Sequence, residues 1–398
     1  MSSRPRTFPI VLAGFTAFLD LYATQPLLPL LMRVFRASHV AVSLTVTAST
    51  VAVALGAPIV GRLADLVGRK RVIVGSAFGM AIATALAATS TSLPQLIVWR
   101  FAQGLFTPGV FAITIAYIHE EWPASHAGRA TSAYVSGTVV GGFCGRAVTG
   151  VVASAAGWPT AFVTLAAMNL AAAAAVAAWL PRERSEGSQR SASGHGRSVL
   201  SLFRNRQLVA TDAVGFCVLF TQVAMFTYVT FHLGAPPYSL STAALGWLFV
   251  VYLVGAAVTP LAGRVIDSYG HRAGLGAGMG LGAVGALLTL TPSLPAVIAG
   301  LAGVATGVFV SQATASSYIG AVTAQDRGLA VGLYAFFYYV GGSLGAVLPG
   351  LFWEGGGWFA CVALVVAVQL ATIALAMMFW KREAPNLPAV AEAMAGPP

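Results

Sequence analysis

The plan of this chain is set by one short charged stretch, Gly61-Arg-Leu-Ala-Asp-Leu-Val-Gly-Arg-Lys-Arg-Val72. It carries four cationic side chains and the carboxylate of Asp65, and apolar runs flank it on both sides. A second stretch follows about two hundred residues later, Gly263-Arg-Val-Ile-Asp-Ser-Tyr-Gly-His-Arg272. Both read Gly-Arg-x-x-Asp-x-x-Gly and continue with a basic residue. The chain therefore contains a charged turn that is repeated once, between apolar segments.

The composition identifies a membrane protein. Only 9% of the 398 residues are charged and 57% are hydrophobic, whereas a soluble chain carries roughly a quarter charged residues. Transmembrane β-strands are ~10-residue alternating segments, but the apolar runs here are long and continuous. The sequence therefore predicts an all-α membrane protein.

The apolar runs are long enough to span a bilayer, which takes about 20 residues in a helix. There are twelve of them: 8–32, 41–60, 71–90, 94–118, 130–153, 158–180, 207–232, 241–262, 273–291, 295–320, 328–352 and 357–380. We predict twelve transmembrane helices in the lipid bilayer, with both termini in the cytoplasm.

The distribution of positive charge supports this topology. On it, all but four of the 22 Lys and Arg residues lie on the cytoplasmic side. Arg33 and Arg36 lie on the other side, and Arg100 and Arg146 lie within the membrane. This is the positive-inside pattern of a membrane protein. It accounts for the net charge of +10, and we expect no nucleic-acid partner.

The chain divides into two similar halves. Residues 128–158 match residues 328–358 at Tyr134 and Tyr334 and at a series of glycines at an offset of 200. Residues 181–206 are rich in Arg, Ser and Gly, as is typical of a solvated linker. We predict two pseudo-symmetric six-helix halves, 1–180 and 207–398, joined by a basic cytoplasmic linker, 181–206. In transporters built from such halves, the substrate lies near the midplane between them.

No motif indicates enzymatic or cofactor chemistry. The sequence lacks a Gly-x-x-x-x-Gly-Lys-Ser/Thr nucleotide loop. The three cysteines lie in different apolar runs, without the spacing of a metal site. We expect no enzymatic activity, no cofactor and no metal.

Three stretches resemble the major facilitator superfamily, and the resemblance covers essentially the whole chain. Residues 61–72 are similar to its loop between helices 2 and 3. Trp99-Arg-Phe-Ala-Gln-Gly104 resembles its helix-4 motif. Phe18-Leu-Asp-Leu-Tyr-Ala-Thr-Gln-Pro-Leu-Leu-Pro-Leu30 lies in a segment that resembles the drug or metabolite:proton antiporters, in their multidrug and sugar-efflux-like branch.

Asp20 is the first candidate for proton coupling. It lies about 12 residues into the first helix, ~18 Å from the cytoplasmic edge at 1.5 Å per residue. The same arithmetic places Arg100 and Arg146 at similar depths. Charges at this depth need partners, and we predict one buried polar cluster in which Asp20 pairs with at least one of these arginines. The alternative to proton coupling is that Asp20 serves only as a structural ion pair with no role in transport. The resemblance implies that Arg100 takes part in a proton relay or in conformational coupling.

Arg146 departs from the antiporter pattern. Helix 5 of the antiporters usually carries Gly-x-x-x-Gly-Pro, whereas here Arg146 stands where Pro is expected. Its planar guanidinium suits a carboxylate or phosphate, so it has two interpretations, recognition of an anionic substrate or a structural pair. The equivalent position in the second half is Ala346.

The resemblance implies a cytoplasmic latch. It assigns Asp65 and Arg69 to this latch, together with acidic residues after helix 4, where Glu120 and Glu121 stand. Gly61 and Gly68 belong to the same motif.

Aromatic, Met and amide side chains favour a site for apolar or varied ligands, with core packing as the alternative. The predicted substrate-binding residues are Arg146, Tyr22, Gln25, Gln222, Met225, Phe226, Tyr334, Phe337 and Tyr338.

Together these features predict a proton-coupled secondary transporter of the bacterial inner membrane. We expect it to export a small organic compound, a drug or metabolite, and to act as a monomer. One alternative is uptake or exchange of an organic anion through Arg146 and Arg100. An alternative of another class is a transport-inactive membrane sensor or interaction protein.

Overall fold

The computed structural model describes residues 7–181, 202–323 and 327–382. Most of the predicted linker 181–206 and both chain ends lie outside these ranges. Within them the secondary structure is helical, and nine helices are long and apolar enough to cross a membrane. The helices are α1 (Phe8–Leu19), α2 (Leu28–Phe35), α3 (His39–Val67), α4 (Arg69–Ala88), α5 (Leu93–Glu121), α6 (Ala124–Ala156), α7 (Trp158–Trp179), α8 (Arg206–Gly234), α9 (Thr242–Trp247), α10 (Val251–Leu288), α11 (Leu294–Val322) and α12 (Arg327–Phe379).

All twelve predicted runs coincide with helical segments, but the structure differs from the prediction in four places. The first run is interrupted between α1 and α2. Residues 248–250 form a short 3-10 turn between α9 and α10. Runs 241–262 and 273–291 meet in α10 at Gly270, and the last two runs meet in α12 at Gly356 and Gly357, where the backbone is not helical.

The described residues pack into two compact units. The first unit contains residues 7–181 and 226–250, and the second contains 202–225, 251–323 and 327–382. Helix α8 thus contributes its end to the first unit and its beginning to the second. This division follows packing, so the predicted halves 1–180 and 207–398 stay a prediction.

The tight turns repeat along the chain. Gly68, which caps α3 and starts α4, has φ 95°, and Gly270 has φ 82°. Gly157, between α6 and α7, has φ 85°, and Gly357 has φ 56°. Positive φ is readily adopted by glycine and is strained for other residues. Each pair is separated by 200 or 202 positions, so the sequence repeat coincides with repeated backbone geometry.

The first unit is built on close packing of α1 against α6. A Cβ atom at Gly141 would lie 2.2 Å from the Phe15 carbonyl oxygen, and one at Gly145 would lie 1.8 Å from that of Leu19. The two backbones therefore touch at these glycines. Such contacts explain the small residues in this part of α6, which is the fifth of the twelve predicted spans.

The second unit repeats this contact between α8 and α12. A Cβ at Gly341 would lie 2.0 Å from the Phe216 carbonyl oxygen, and one at Gly345 would lie 2.5 Å from that of Phe220. The two units therefore share an arrangement in which α8 corresponds to α1 and the first part of α12 corresponds to α6.

Basic residues cap the last helix of each repeat. The Lys70 ammonium donates to the carbonyl of Leu180, and the Arg272 guanidinium donates to the carbonyl of Trp380. A cation at a helix C-terminus satisfies the terminal carbonyl groups and the negative end of the helix dipole. The positive charges of the repeated turn thus stabilise helix ends as well as marking topology.

Candidate functional site

The site begins with the break in the first apolar run. Pro26 has no N–H group, and the backbone N–H of Gln25 donates to Tyr22 at 3.1 Å instead of to Leu21. The carbonyl of Leu21 is therefore released from the helix ladder. The carbonyl of Asp20 is left at the end of α1, in a three-residue turn to Ala23.

Arg100, on α5, binds the carbonyls of both Asp20 and Leu21. Its Nη1 donates to the Asp20 carbonyl at 2.8 Å and its Nη2 to the Leu21 carbonyl at 2.7 Å. Its Nε donates to the carbonyl of Thr45 on α3 at 3.3 Å, and Nη1 also donates to the side chain of Gln103. The guanidinium is fully buried. Arg100 therefore joins α5, α3 and the break in the first run.

The Asp20 carboxylate is bound by neutral donors. Its Oδ2 accepts from Thr84 Oγ1 and from Asn169 Nδ2, both at 2.7 Å. Its Oδ1 has no hydrogen-bond partner among the described residues. Within those residues the carboxylate forms no ion pair within 4.0 Å. Arg100 contacts the main chain of Asp20 and not its carboxylate, so the predicted pairing of the Asp20 side chain with an arginine is not formed.

A chain of hydrogen bonds connects the carboxylate to the guanidinium. Gln103 Nε2 donates to Thr84 Oγ1 at 2.6 Å, and Gln103 Oε1 accepts from Arg100. Thr84 Oγ1 also lies 2.7 Å from the carbonyl oxygen of Met80. Since a hydroxyl has one proton to donate, Thr84 donates either to Asp20 or to Met80.

Arg146 lies in a separate polar group of the first unit. Its Nε donates to Gln25 Oε1 at 2.8 Å, and its Nη1 donates to the Gly142 carbonyl at 2.6 Å. Its guanidinium carbon lies 4.9 Å from the ring centre of Tyr22 and 4.7 Å from that of Phe249. The side chain is buried. These contacts are with neutral groups, and cation–π contacts of this kind suit a desolvated arginine.

The end of α8 completes this group. Gln25 Nε2 donates to Thr227 Oγ1 at 3.1 Å, and the ring of Phe226 lies 5.9 Å from that of Phe249. Of the predicted substrate-binding residues, the first unit therefore brings Tyr22, Gln25 and Arg146 together, with Phe226 one ring away.

The remaining predicted substrate-binding residues belong to the second unit. There Tyr334 donates to Gln312 Oε1 at 2.8 Å, and its ring is stacked with that of Tyr338 at 6.0 Å. The others in this unit are Gln222, Met225 and Phe337.

The charged turn holds one part of the predicted latch. Arg69 and Glu120 form an ion pair, with exposed fractions of 21% and 46% for their side chains. Gly68 supplies the positive-φ turn, whereas Gly61 faces open space. Asp65 is exposed and forms no ion pair within the described ranges, and Glu121 is half-buried.

A family model describes nearly all of this chain. The model of the Major Facilitator Superfamily matches residues 10–243 and 232–397. The chain belongs to the Major Facilitator Superfamily. It is accordingly a multi-pass membrane transporter for a small molecule and not an enzyme.

Bacterial relatives support the same family assignment. The MFS-type transporter YybF of Bacillus subtilis is 32% identical over 93% of this chain and 92% of its own length. The inner membrane transport protein YnfM of Escherichia coli is 32% identical over 92% of this chain and 89% of its own length. These relatives place the facilitator in the plasma membrane.

A solved structure has the same fold. It is the inward-facing, occupied form of a bacterial homologue of the human lysosomal transporter Spinster, with a TM-score of 0.76 and 16% identity. The match covers 96% of this chain and 98% of that one. At this identity the likeness concerns the facilitator fold alone.

Five side chains of the two polar groups around Asp20 and Arg146 were absent from the predicted site. They are Thr84, Asn169, Thr227, Gln103 and Phe249. The first three are polar residues in otherwise apolar runs, which is a detectable pattern because buried polar groups need partners. Gln103 stands in the helix-4 motif. Phe249 has no such pattern, since one aromatic residue among many does not identify a ligand contact.

Proposed function

We propose that this facilitator couples export of a small organic compound to proton entry, with Asp20 as the proton carrier. The observation that supports this is the environment of Asp20. A fully buried carboxylate has two neutral donors on one oxygen and no partner on the other among the described residues. Such a group tolerates both charge states, because the donors stabilise the anion and the second oxygen is available for a proton.

A structural ion pair would have a different geometry. A carboxylate that only balances a buried arginine is expected within 4.0 Å of it, often in a two-pronged contact. Asp20 makes no such contact with Arg100. The charge of Asp20 is therefore not fixed by a direct pair, which favours proton exchange over static pairing.

The hydrogen-bond partner of the Thr84 hydroxyl depends on the charge state of Asp20. When Asp20 is ionised, Thr84 donates its proton to the carboxylate. When Asp20 is protonated, Thr84 is free to donate to Met80, which lies at the same 2.7 Å. Gln103 binds the Thr84 oxygen in both cases and also binds Arg100.

Arg100 carries this change to the break in the first run. Its bonds to the carbonyls of Asp20 and Leu21 fix the irregular backbone there. We infer that a change at Asp20 is transmitted through Thr84, Gln103 and Arg100 to the orientation of α1 and α2. Asp20 takes up a proton from the outside and releases it inside as the two halves alternate.

The direction of transport is inferred from a relative. The chloramphenicol resistance protein of Streptomyces lividans is 29% identical over 54% of this chain. Resistance is consistent with removal of a compound from the cell, and we propose export on this basis.

Proton flux in proteoliposomes tests the proposal. Wild-type protein and Asp20→Asn are given a pH gradient and, in turn, chloramphenicol, tetraphenylphosphonium and benzoate as neutral, cationic and anionic probes. Glu354→Gln, at an exposed carboxylate, is the matched control. We expect probe-evoked proton movement in wild type and control and its loss in Asp20→Asn. Unchanged flux in Asp20→Asn would contradict the role of Asp20. If correctly folded wild-type protein moved none of a wide panel of compounds, the sensor alternative would gain support.

Arg146 supports a second candidate, transport of an organic anion. Its guanidinium lies beside the Gln25 amide and two aromatic rings. A guanidinium in such a group suits a carboxylate-bearing ligand. Benzoate uptake that is lost in Arg146→Gln and reduced in Arg146→Lys, with Arg62→Gln as an exposed control, would favour this function. Equal uptake by all these proteins would exclude it.

Topology and assembly complete the proposal. We propose that both termini are cytoplasmic and that a monomer suffices. The cytoplasmic placement follows the one-sided distribution of Lys and Arg. Protease protection of tags at each end in right-side-out vesicles, and the mass of the detergent-solubilised protein, test these two statements.

A further inference from the structure

The second unit contains a buried carboxylate that the proposed mechanism does not use. Asp212 lies on α8, seven residues from its beginning, and its side chain is 3% exposed. Neither Oδ1 nor Oδ2 has a hydrogen-bond partner among the described residues. Among the residues whose side chains the structure describes, no Lys, Arg or His forms an ion pair with it within 4.0 Å.

Tyr334 packs against α8 one turn after this carboxylate. Gly215 is one turn after Asp212 on α8, and a Cβ at Gly215 would lie 2.3 Å from the Tyr334 ring. The ring therefore covers the face of α8 that carries Gly215. The Tyr334 hydroxyl donates to Gln312 on α11 at 2.8 Å. Tyr334 and Gln312 thus form a polar pair between α12 and α11, on the side of α8 where Gly215 follows Asp212 by one turn.

The first unit has the same tyrosine in the same place. A Cβ at Gly14 would lie 3.1 Å from the Tyr134 ring, as one at Gly215 would touch the Tyr334 ring. Gly215 follows Gly14 by 201 positions, and Tyr334 follows Tyr134 by 200. The two tyrosines therefore occupy equivalent positions, so their surroundings can be compared residue by residue.

The surroundings differ in polarity. At the offset of 201 that relates Gly14 to Gly215, the position equivalent to Asp212 is Val11. The Tyr134 hydroxyl donates to the main-chain carbonyl of Phe111 at 3.0 Å, whereas the Tyr334 hydroxyl donates to the side chain of Gln312. The fold thus accepts an apolar residue at the position of Asp212, so this carboxylate is not required for packing.

A buried carboxylate without a partner is strongly disfavoured when charged, because it has lost its water and gained nothing in return. Binding a proton removes that cost. We propose that Asp212 is a second proton-binding site of this transporter. The proposal rests on the proposed function in so far as the bound proton takes part in coupled transport; the binding itself does not depend on Asp20. Among the described side chains, Tyr334 of α12 is a titratable group that packs on α8 one turn from Asp212, and its partner Gln312 of α11 is neutral.

Infrared spectra of the purified full-length protein test proton binding directly, because a protonated carboxylic acid has a carbonyl band that a carboxylate lacks. The spectra are recorded across a range of pH for wild type, Asp20→Asn, Asp212→Asn and the double variant. We expect one such band to persist in Asp20→Asn and to disappear in Asp212→Asn. A band shifted but retained in Asp212→Glu, with an unchanged elution profile, shows that folding is intact.

Two results would overturn the proposal. One is a spectrum of Asp212→Asn that equals wild type at every pH. The other is a band that vanishes when Na⁺ replaces choline, since this would show a metal-cation site at Asp212. The Asp20→Asn spectra and flux report on the proposed function separately. If both carboxylates take part in coupling, Asp212→Asn should about halve the number of protons moved per substrate.

Discussion

The Arg100 guanidinium donates to the main-chain carbonyl of Asp20 at 2.8 Å, while the carboxylate of the same residue is bound by Thr84 and Asn169. Main chain and side chain of Asp20 thus have different partners. Because a carbonyl does not titrate, Arg100 stays bound to the helix break in both charge states of Asp20, and the break follows any shift of the guanidinium that Gln103 transmits. The carboxylate can therefore change its charge while the bond from Arg100 to the Asp20 main chain is kept.

Arg100→Lys should destabilise the protein. Lysine has one ammonium group and cannot reproduce the fork that reaches the carbonyls of Asp20, Leu21 and Thr45. Each lost hydrogen bond from a charged group costs roughly 1.5–3 kcal/mol. We expect a lower midpoint of thermal unfolding in detergent, followed by size-exclusion chromatography, and weak transport. Arg62→Lys, at an exposed arginine, is the control. Equal midpoints for the two variants would show that the fork is dispensable.

Thr84→Val should uncouple Asp20 from Gln103 with little change in side-chain volume. The substitution removes a donor to the carboxylate and an acceptor for Gln103 Nε2. Leaving such buried groups unsatisfied costs about 1–3 kcal/mol. We expect proton-coupled transport to fall at least tenfold in proteoliposomes and Thr84→Ser to retain most of it. Full activity in Thr84→Val would exclude this hydroxyl from coupling.

The fold was predictable because it follows from composition and spacing. Continuous apolar runs, one-sided positive charge and a repeated charged turn sufficed for the all-α membrane fold, which the structure and the family model confirm. The interruption after Asp20 was harder to place. Pro26 and Pro29 indicate a bend, but the extent of the unwound segment depends on Arg100 binding the carbonyls that it exposes.

The site was predictable only in part. Asp20, Arg100 and Arg146 were selected because charged residues at membrane depth are energetically costly and often mark functional sites. Their partners did not follow from depth alone. Helices place residues of equal depth on different faces, so Arg146 joins Gln25 and not Asp20. Partners such as Asn169 come from helices distant in sequence, and sequence spacing carries no information about that contact.

Gly145→Ala should disrupt the contact between α1 and α6. The added Cβ would lie 1.8 Å from the Leu19 carbonyl oxygen, so the helices must separate next to Asp20. Overpacking of this kind costs about 1–3 kcal/mol or more. We expect a lower unfolding midpoint and reduced transport.

Gly75→Ala is the matched control for this change. Gly75 is an exposed helical glycine of α4, and a Cβ there meets nothing within 4 Å. Alanine is favoured over glycine in a helix by roughly 0.5–1 kcal/mol, so this variant should be as stable as wild type or slightly more stable. If Gly145→Ala behaved like Gly75→Ala, the close approach of the two backbones would be refuted.

The ion pair of Arg69 and Glu120 provides a test of the latch. Both side chains are partly exposed, at 21% and 46%, and exposed pairs contribute only about 0–1 kcal/mol to stability. Arg69→Glu and Glu120→Arg should therefore unfold near the wild-type midpoint. If the pair biases the transport cycle, each single variant should transport several-fold more slowly, and the double variant Arg69→Glu/Glu120→Arg should recover part of the rate. Uptake rates in proteoliposomes and unfolding midpoints of the same preparations separate the two effects. A double variant as slow as the slower single variant would show that the residues act independently, and a large loss of stability in either single variant would assign the pair to folding.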